Sequence, residues 1–208
     1  QNTPVDTGRA RGGWMAYYDE VGGLRDVRQV KPPPGGSNSD VNDAEVARDA
    51  GAEVLSHGEN RGYLSSLRTG FRGFEADVMV TLDADGEMDP SYIPSLLEPI
   101  EDGEADLVLG KRREVSRVSE RFLSLLAGLS VDVSDTGTGY RAIRADLAKE
   151  MRLYGVCPCG TFVLEARGLG GRVVEVPVVN REVERPRRVA WRHFYQFFYL
   201  LKMLIFGS

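Results

Sequence analysis

A short apolar run that ends abruptly in acidic residues constrains the fold more than any other part of this chain. Residues 77–82 are mostly apolar and rich in β-branched side chains, as in a buried strand. Acidic side chains then alternate with other residues as far as Pro90, which closes the segment. Because alternate side chains of an extended chain point the same way, we expect Asp83 and Asp85 to converge at the carboxyl end of the strand.

Two carboxylates held this close raise each other's pKa unless a cation joins them. Mg²⁺ or Mn²⁺ prefers oxygen ligands and keeps coordination positions for water and substrate phosphates, so either ion suits Asp83 and Asp85. The same residues are also ordinary turn formers, with Asp89 and Pro90 beginning the next helix. The strand before the motif and the helical pattern after it favour the metal site, because open α/β sheets bind ligands at the carboxyl ends of their strands.

Strand and helix patterns alternate along most of the chain, which predicts an α/β domain over residues 1–180 with a mostly parallel central sheet flanked by helices. Residues 1–40 are rich in glycine and predict an irregular start without a strand. In the helix predicted at 115–128, the side chains expected to face inward are Val118, Phe122, Leu125 and Leu126. The other predicted helices are 41–51, 63–74, 93–100, 145–151 and 162–168, and the other predicted strands are 52–56, 105–110, 140–144 and 172–179.

The composition sets limits on the class of protein. A chain of 208 residues with 42% apolar and 27% charged side chains is globular, and its net charge of −5 gives no general case for nucleic-acid binding. Cys157 and Cys159 stand in a Cys-Pro-Cys turn without a second pair to complete a zinc site. They are predicted to be reduced thiols in a loop, which favours a cytosolic setting. We find no secretory signal and no apolar run of about 18 residues that would span a membrane.

Several segments carry residues suited to phosphate. The small residues of segment 35–40, Gly36 and Ser37 among them, let backbone N–H groups approach an anion, although a flexible connection explains them equally well. Arg61 at a helix start would oppose the helix dipole unless it meets an anionic partner. The cations of segment 111–113 follow a strand and suit a phosphate, or form a solvated charge run. In the polar segment 132–141, Asp135 fits a base and a turn former equally well.

The last part of the chain, residues 181–208, combines arginines with large aromatic and aliphatic side chains. Its apolar part is too short to cross a bilayer, but the mixture suits an amphipathic helix lying at the level of the lipid headgroups. The alternative is a terminal helix docked on the core or on a second subunit. We favour the membrane surface, because so many large apolar groups surround so few polar ones.

Taken together and in order, these motifs resemble the inverting family 2 glycosyltransferases, and specifically the dolichyl-phosphate mannosyltransferase-like branch. The resemblance covers about residues 41–206. It rests on Glu59-Asn60-Arg61-Gly62, Leu82-Asp83-Ala84-Asp85-Gly86, Gly110-Lys111-Arg112, Asp135-Thr136 with Gly139-Tyr140-Arg141, and Glu175-Val176-Pro177-Val178.

The resemblance implies a GT-A fold and transfer of a sugar from a nucleotide sugar to a polyprenyl phosphate at the cytosolic face of a membrane. In the family, the pair matched by Asp83 and Asp85 holds a divalent ion on the donor diphosphate, and Glu87 can join it, whereas Met88 is a poor ligand for a hard ion. Arg112 matches an arginine near the transferred or acceptor phosphate. The resemblance further places Arg117 and Arg121 as helpers at the acceptor phosphate, Asp135 and Arg141 on the acceptor side, and Arg61, Gly36 and Ser37 with the donor.

The chain also departs from the family pattern. The family opens with strands that end in Pro-x-x-Asn-Glu and Asp-Asp-Gly-Ser and hold the nucleotide, and neither motif occurs here. Phe162 falls near a position where an acidic residue is common. An alternative hypothesis is therefore a membrane-associated binding module that has lost the donor-base site. A sugar nucleotidyltransferase fits less well, because the chain has no Gly-rich opening segment to hold a triphosphate, and a homo-oligomer is compatible with either hypothesis.

Overall fold

A computed structural model of the chain describes residues 13–19, 23–31, 48, 52–57, 61–83, 88–113, 118–180 and 191–207. Its strands are β1 (Gly13–Asp19), β2 (Gly23–Lys31), β3 (Val54–Ser56), β4 (Val78–Asp83), β5 (Leu107–Arg112), β6 (Arg141–Arg144) and β7 (Val173–Val178). Its helices are α1 (Tyr63–Gly73), α2 (Ile93–Glu101), α3 (Val118–Gly128), α4 (Ala145–Glu150), α5 (Thr161–Gly168) and α6 (Trp191–Phe206), and a 3₁₀ turn, Pro90–Tyr92, precedes α2.

The strands form one sheet in the order β3-β2-β1-β4-β6-β5-β7. The prediction of a mostly parallel sheet is wrong, because β2–β3 and β5–β7 are parallel whereas β1–β2, β1–β4, β4–β6 and β5–β6 are antiparallel. The strand β6 accounts for two of the antiparallel pairings, since it lies between β4 and β5 and runs against both. The strands β4 and β5 therefore run in the same direction and end at the same edge of the sheet.

The prediction that residues 1–40 contain no strand is also wrong. The strands β1 and β2 form an antiparallel hairpin in which Trp14 pairs with Gln29 and Ala16 with Val27, and β1 continues onto β4. Aromatic and β-branched residues favour these strands, but the surrounding glycines hid the pattern. Of the predicted helix at 41–51, only Arg48 lies among the described residues, and it is helical.

Side chains alternate between the two faces of the sheet as the strand period requires. Met79 and Leu109 point into one hydrophobic cluster together with α1, α3, α4, α5 and α6, whereas Val80 and Val108 point into a second cluster beneath α2. The predicted apolar faces of α1 and α2 are confirmed, since their members are all buried: Leu64, Leu67, Phe71 and Phe74 for α1, and Ile93, Leu96, Leu97 and Ile100 for α2. Helices thus cover both faces of the sheet.

Three of the four side chains predicted to face inward from α3 do not, whereas the fourth, Leu126, is partly buried and packs against the core. Val118 and Leu125 are 80% and 67% exposed, Phe122 is also exposed, and the buried side chains are Glu120, Leu123, Ser124 and Ala127. Apolar residues occupy two sides of this helix, so the 3.6-residue period does not decide which side meets the core. Ser124 faces inward because it bonds Thr136 in the segment that precedes β6, and Glu120 faces inward because it pairs with Arg112 of β5.

The C-terminal helix α6 docks on the molecule through one face. Gln196 and Leu200 are fully buried and Met203 nearly so, whereas Phe194, Phe198 and Ile205 are exposed. The predicted amphipathic helix therefore begins at Trp191, and residues 181–190 lie outside the described part of the chain. Within the described residues, no helix is both long and apolar enough to cross a bilayer. Pro177 lies in β7, which is an edge strand of the sheet. This confirms the prediction from its lack of a backbone N–H, which a central strand would need.

Candidate active site

The carboxyl ends of β4 and β5 meet the polar segment 132–140, which leads into β6. Arg112, the last residue of β5, donates from Nε to Asp135 Oδ2 at 2.8 Å and from Nη2 to Asp135 Oδ1 at 2.7 Å. The Arg112 backbone N–H donates to the same Oδ2 at 3.0 Å. Nη2 also lies 3.2 Å from Glu120 Oε2 of α3. Two carboxylates thus hold the guanidinium in one orientation.

The Arg112 cluster is mostly removed from water. Asp135 is 1% exposed, and Arg112 is largely buried. Burial alone would lower the pKa of Arg112, but the hydrogen bonds and charges of Asp135 and Glu120 raise it above its ordinary value. Both oxygens of Asp135 accept bonds from Arg112, so the structure places Asp135 as the partner that orients Arg112. This arrangement favours a positioning role for Asp135 over a general base facing a substrate.

Glu175 of β7 fixes the segment that carries Asp135. Its Oε1 accepts the backbone N–H groups of Ser134 and Asp135 at 2.7 and 2.6 Å, and its Oε2 accepts the Ser134 hydroxyl at 2.9 Å. Lys111 Nζ lies 3.3 Å from the same Oε2. The sequence motif that contains Glu175 had no role assigned to it, because its partners lie about 40 residues earlier in the chain.

The small residues of the segment allow a close approach to the acidic strand end. Thr81 Oγ1 donates to the Gly139 carbonyl at 2.8 Å, and an ideal Cβ on Gly139 would lie 2.7 Å from Asp83 Oδ2. Any larger residue at position 139 would therefore displace the Asp83 carboxylate. Tyr140, fully buried, donates from its hydroxyl to the Asp89 carbonyl at 2.9 Å, which ties the segment to the far end of the acidic motif.

The residues around Asp83 suit a hard cation only in part. Asp83 is half-buried at the end of β4, and its carboxylate lies against Gly139. Met88 is buried, and its sulfur accepts the Asp83 backbone N–H at 3.3 Å, which is a packing role that leaves coordination to oxygen donors. Asp85 and Glu87 lie outside the described residues, so the predicted convergence of Asp83 with Asp85 stays a prediction.

Arg141, the first residue of β6, is a buried cation beside this carboxylate. It is completely buried, and none of its three guanidinium nitrogens has a hydrogen-bond partner among the described residues. Its Cζ lies 4.6 Å from the centre of the Phe162 ring, at cation–π distance. Tyr63 adjoins both groups: burial raises the pKa of its hydroxyl, the Asp83 charge raises it further, and Arg141 acts in the opposite direction. Asp83, Tyr63 and Arg141 are therefore neighbours.

The structure brings together some of the predicted site residues and separates others. Asp83 and Arg141 lie at one end of segment 132–141, and Arg112 with Asp135 near its start. Arg61, before α1, and Arg121, on α3, are exposed. Asp85, Glu87, Arg117, Gly36 and Ser37 lie outside the described residues. Sequence reasoning missed Glu120, Tyr63 and the stacking role of Phe162, because each depends on which faces of two helices meet the sheet.

Comparison with known proteins decides the family. The family model described as glycosyl transferase family 2 matches residues 37–151, just over half of the chain. The chain belongs to glycosyl transferase family 2. This match spans Asp83, Arg112, Asp135 and Arg141, and it confirms the predicted family and the predicted class of enzyme, a glycosyltransferase.

Two curated relatives are similar to this family 2 chain over most of its length. An undecaprenyl-phosphate mannosyltransferase of Micrococcus luteus is 34% identical over 182 residues, covering 76% of this chain and 73% of the relative. A dolichyl-phosphate hexose transferase of Haloferax volcanii is 30% identical over 157 residues, covering 69% of this chain and 67% of the relative. Both names agree with the predicted polyprenyl-phosphate branch of the family.

A solved structure supports the fold of this family 2 chain. Glucosyl-3-phosphoglycerate synthase from Mycobacterium tuberculosis, in complex with Mn²⁺, uridine-diphosphate-glucose and phosphoglyceric acid, superposes with a TM-score of 0.62 at 20% identity. The superposition covers 80% of this chain and 65% of that chain, so this chain spans slightly less than two thirds of the solved structure. At this identity the likeness concerns the fold alone, and it confirms the predicted GT-A architecture.

Proposed function

We propose that this protein transfers a sugar from a nucleotide sugar to a polyprenyl phosphate at a membrane surface, with inversion at the anomeric carbon. The observation that carries the proposal is that Asp83 with Arg141, and Arg112 with Asp135, lie along one polar segment where β4 and β5 end at the same edge of the sheet. A carboxylate beside guanidinium groups suits a substrate that presents both a metal-bound diphosphate and a free phosphate. The relatives named for undecaprenyl and dolichyl phosphate support a lipid phosphate as the acceptor.

Asp83, together with Asp85 and Glu87, would hold the divalent ion that the fold family implies. Asp83 supplies a hard oxygen donor at the end of β4, and the absence of a side chain at Gly139 leaves room for its carboxylate. When bound, Mg²⁺ or Mn²⁺ neutralises the charge that develops on the departing diphosphate.

The reaction needs little acid–base help from the chain. An oxygen of the acceptor phosphate is already anionic, so it attacks the anomeric carbon without losing a proton. The bond from that carbon to the diphosphate oxygen breaks on the opposite face, and the nucleoside diphosphate leaves. Under this mechanism Asp135 has no proton to remove, which agrees with its burial in the pair with Arg112.

The two arginines have separate tasks in the proposal. Arg112 is held in one orientation by Asp135 and Glu120 at the end of β5, where its guanidinium would meet the acceptor phosphate. Arg141 lies beside Asp83 and Tyr63 and is fully buried, so its charge would act on the donor diphosphate from beneath the surface and not through an exposed contact. Each charge is fixed before substrate binds, which removes the reorganisation that a flexible side chain would undergo.

A continuous aromatic surface supports the membrane location. Phe122 of α3 lies 6.0 Å from Phe197 of α6, centre to centre, and Phe197 leads through Phe198 to Phe194 at 5.5 and 5.3 Å. Phe122, Phe194 and Phe198 are each more than half exposed. We call the exposed side chains of α3 and α6 that adjoin this chain of rings the aromatic face. Aromatic groups beside a basic segment, residues 181–188, suit the headgroup level of a bilayer.

The test is transfer of radiolabelled sugar to undecaprenyl phosphate, with Mn²⁺ and a panel of nucleotide sugars. We expect transfer from at least one donor, and its loss in Asp83→Asn. Asp106→Asn is the matched control, since Asp106 lies just before β5, at the opposite edge of the sheet. Absence of transfer from every donor, together with absence of nucleoside diphosphate binding by calorimetry, would reject the proposal in favour of a binding module without a donor site.

A further inference from the structure

Two cysteines and a histidine converge away from the sheet edge, between the loop that precedes α5 and the first turn of α6. The sulfurs of Cys157 and Cys159 and a ring nitrogen of His193 all lie within 4.8 Å of one another. Cys159 Sγ is 3.8 Å from His193 Nε2. Cys159 is buried, and the other two are half-buried. The histidine follows the cysteines by more than 30 residues, so the sequence shows a Cys-Pro-Cys turn without a third ligand.

The histidine ring is oriented for metal binding. Its Nδ1 forms a hydrogen bond of 2.7 Å with the Ser119 hydroxyl of α3, while Nε2 faces Cys159. A metal-binding histidine nearly always uses its second nitrogen in this way, because the hydrogen bond fixes both the tautomer and the direction of the ring. Three separate elements, namely α3, α6 and the loop, thus build one cluster.

The loop that carries the cysteines is fastened to α6 independently of the cluster. The fully buried amide of Gln196, one turn after His193, accepts the N–H groups of Val156 and Cys157 at 3.0 and 3.2 Å. Its Nε2 donates to the Cys159 carbonyl at 3.1 Å and to Thr161 Oγ1 at 2.8 Å. Every hydrogen-bonding position of this side chain therefore holds the cysteine loop against the helix.

Two glycines let the loop approach α6 this closely. Gly155 and Gly160 have φ angles of 100° and 79°, which side chains rarely adopt. A Cβ on Gly160 would lie 2.8 Å from Leu200 Cδ1, and one on Gly155 would collide with Gln196 Oε1. The positions of Cys157 and Cys159 are therefore set by packing and backbone conformation.

We propose that Cys157, Cys159 and His193 bind one Zn²⁺ ion, with a water molecule in the fourth position. Zinc bond lengths of about 2.3 Å to sulfur and about 2.0 Å to nitrogen place tetrahedral ligand atoms about 3.5–3.8 Å apart. The three ligand atoms lie within 4.8 Å of one another, so they reach this separation if each pair moves closer by about 1.3 Å or less. Two thiolates and a neutral imidazole cancel the charge of the ion, and sulfur with imidazole nitrogen is a donor set that selects zinc over Mg²⁺ or Mn²⁺.

Such an ion would link α6, which carries part of the aromatic face, to α3 and to the cysteine loop. The inference stands apart from the proposed transferase activity, because it uses none of the residues assigned to donor or acceptor. The ion would stabilise the docking of these segments, because it adds a cross-link to the packing contacts and hydrogen bonds that already join them.

The test uses the full chain, reduced and stripped of metal with a chelator. We expect one equivalent of Zn²⁺ to bind in competition with a chromogenic chelator and to raise the melting temperature. Co²⁺ in its place should give the sulfur-to-cobalt charge-transfer absorption of a thiolate site. Cys157→Ser, Cys159→Ser and His193→Gln should each weaken Zn²⁺ binding by more than about 100-fold, and Ser119→Ala by about 10–100-fold, since Ser119 orients a ligand without being one.

His57→Gln is the matched control, because the chain has two histidines and His57 bonds Thr69 at 2.7 Å outside the cluster. Its Zn²⁺ affinity should equal that of the unsubstituted protein. Circular dichroism is used to check that each variant folds. The cobalt spectrum is recorded on the unsubstituted protein, so this part of the test does not depend on the folding of any variant. Failure of the reduced protein to bind stoichiometric Zn²⁺, a cobalt spectrum without charge-transfer absorption, or unchanged affinity in His193→Gln would overturn the proposal.

Discussion

Substitution of Asp135 by asparagine tests whether this residue orients Arg112 or acts as a base. The side chain is 2% exposed and accepts two hydrogen bonds from the guanidinium and one from the Arg112 backbone. Asparagine keeps the size and one acceptor oxygen, but it removes the charge. Arg112 would then remain largely buried with Glu120, at 3.2 Å, as the nearest compensating charge that the structure records for it.

The expected cost follows from the geometry. Removal of one partner from a buried ion pair costs about 3–5 kcal/mol. Because Glu120 remains and the Arg112 side chain is 14% exposed, we expect the lower part of this range or slightly less, about 2–3 kcal/mol. For a domain of this size, that corresponds to a fall in melting temperature of roughly 5–10 °C.

A double-mutant cycle separates the two roles. Asp135→Asn, Arg112→Met and the double variant are compared by denaturant unfolding and by sugar transfer. If Asp135 acts through Arg112, we expect an interaction energy of about 1–3 kcal/mol and no further loss of transfer in the double variant. Asp132→Asn, an exposed acid of the same segment, should change stability by less than about 0.5 kcal/mol. A loss of transfer in Asp135→Asn that persists undiminished on the Arg112→Met background would refute the positioning role.

Three further predictions address other parts of the molecule. Gly139→Ala should weaken Mn²⁺-dependent binding of a nucleoside diphosphate, measured by calorimetry, because the new Cβ would displace Asp83 Oδ2. Unchanged binding would show that the position of the Asp83 carboxylate does not matter for the ion. The pKa of Asp106 is lowered chiefly by its hydrogen bond with Arg172, so the stabilisation exists above the unfolded pKa of about 3.9 and is lost as the pH falls through the folded value. The unsubstituted protein should therefore melt at a higher temperature than Asp106→Asn near neutral pH, and this difference should shrink below about pH 4. A difference that grows below about pH 4 would contradict the lowered pKa of Asp106. The double variant Phe122→Ser with Phe198→Ser should bind anionic lipid vesicles at least about 10-fold more weakly, at unchanged melting temperature, because both rings are half exposed. The control Leu169→Ser replaces an exposed leucine and should bind as well as the unsubstituted protein. Equal binding by all three proteins would reject the aromatic face as the membrane contact.

The sequence predicted those elements whose local pattern and burial agree. The helices α1 and α2 have one apolar side each, so their type and inward residues followed from spacing, and the short apolar runs of β4, β5 and β7 predicted strands. The ordered motifs then led to the family, which no single motif identifies. The strands β1 and β2 were missed because glycines flank them and because an antiparallel hairpin lacks the helical crossover that was used to infer the sheet.

The site residues at the ends of strands could be predicted from the sequence, whereas the contacts that helices make with them could not. Asp83 and Arg112 follow buried strands, so their position was readable from the chain. The position of Glu120 could not be predicted, because α3 has apolar residues on two sides and the side that is buried is the one whose polar residues have partners. Nor could that of His193, because its pairing with the cysteines depends on how α6 docks.

Phe162 shows how a departure from a family pattern changes the electrostatics of a site. The resemblance predicts an acidic residue near this position, and an acid there would pair with Arg141 and neutralise it. The aromatic ring instead lies against the guanidinium at 4.6 Å and adds a cation–π attraction of about 1–2 kcal/mol, which offsets only part of the cost of burying the charge. Asp83 lies nearby and supplies part of the compensating charge, and we expect a bound anion to supply more. Binding of a nucleoside diphosphate should therefore stabilise this protein against unfolding, and Phe162→Glu should abolish that stabilisation by supplying the negative charge from within the chain.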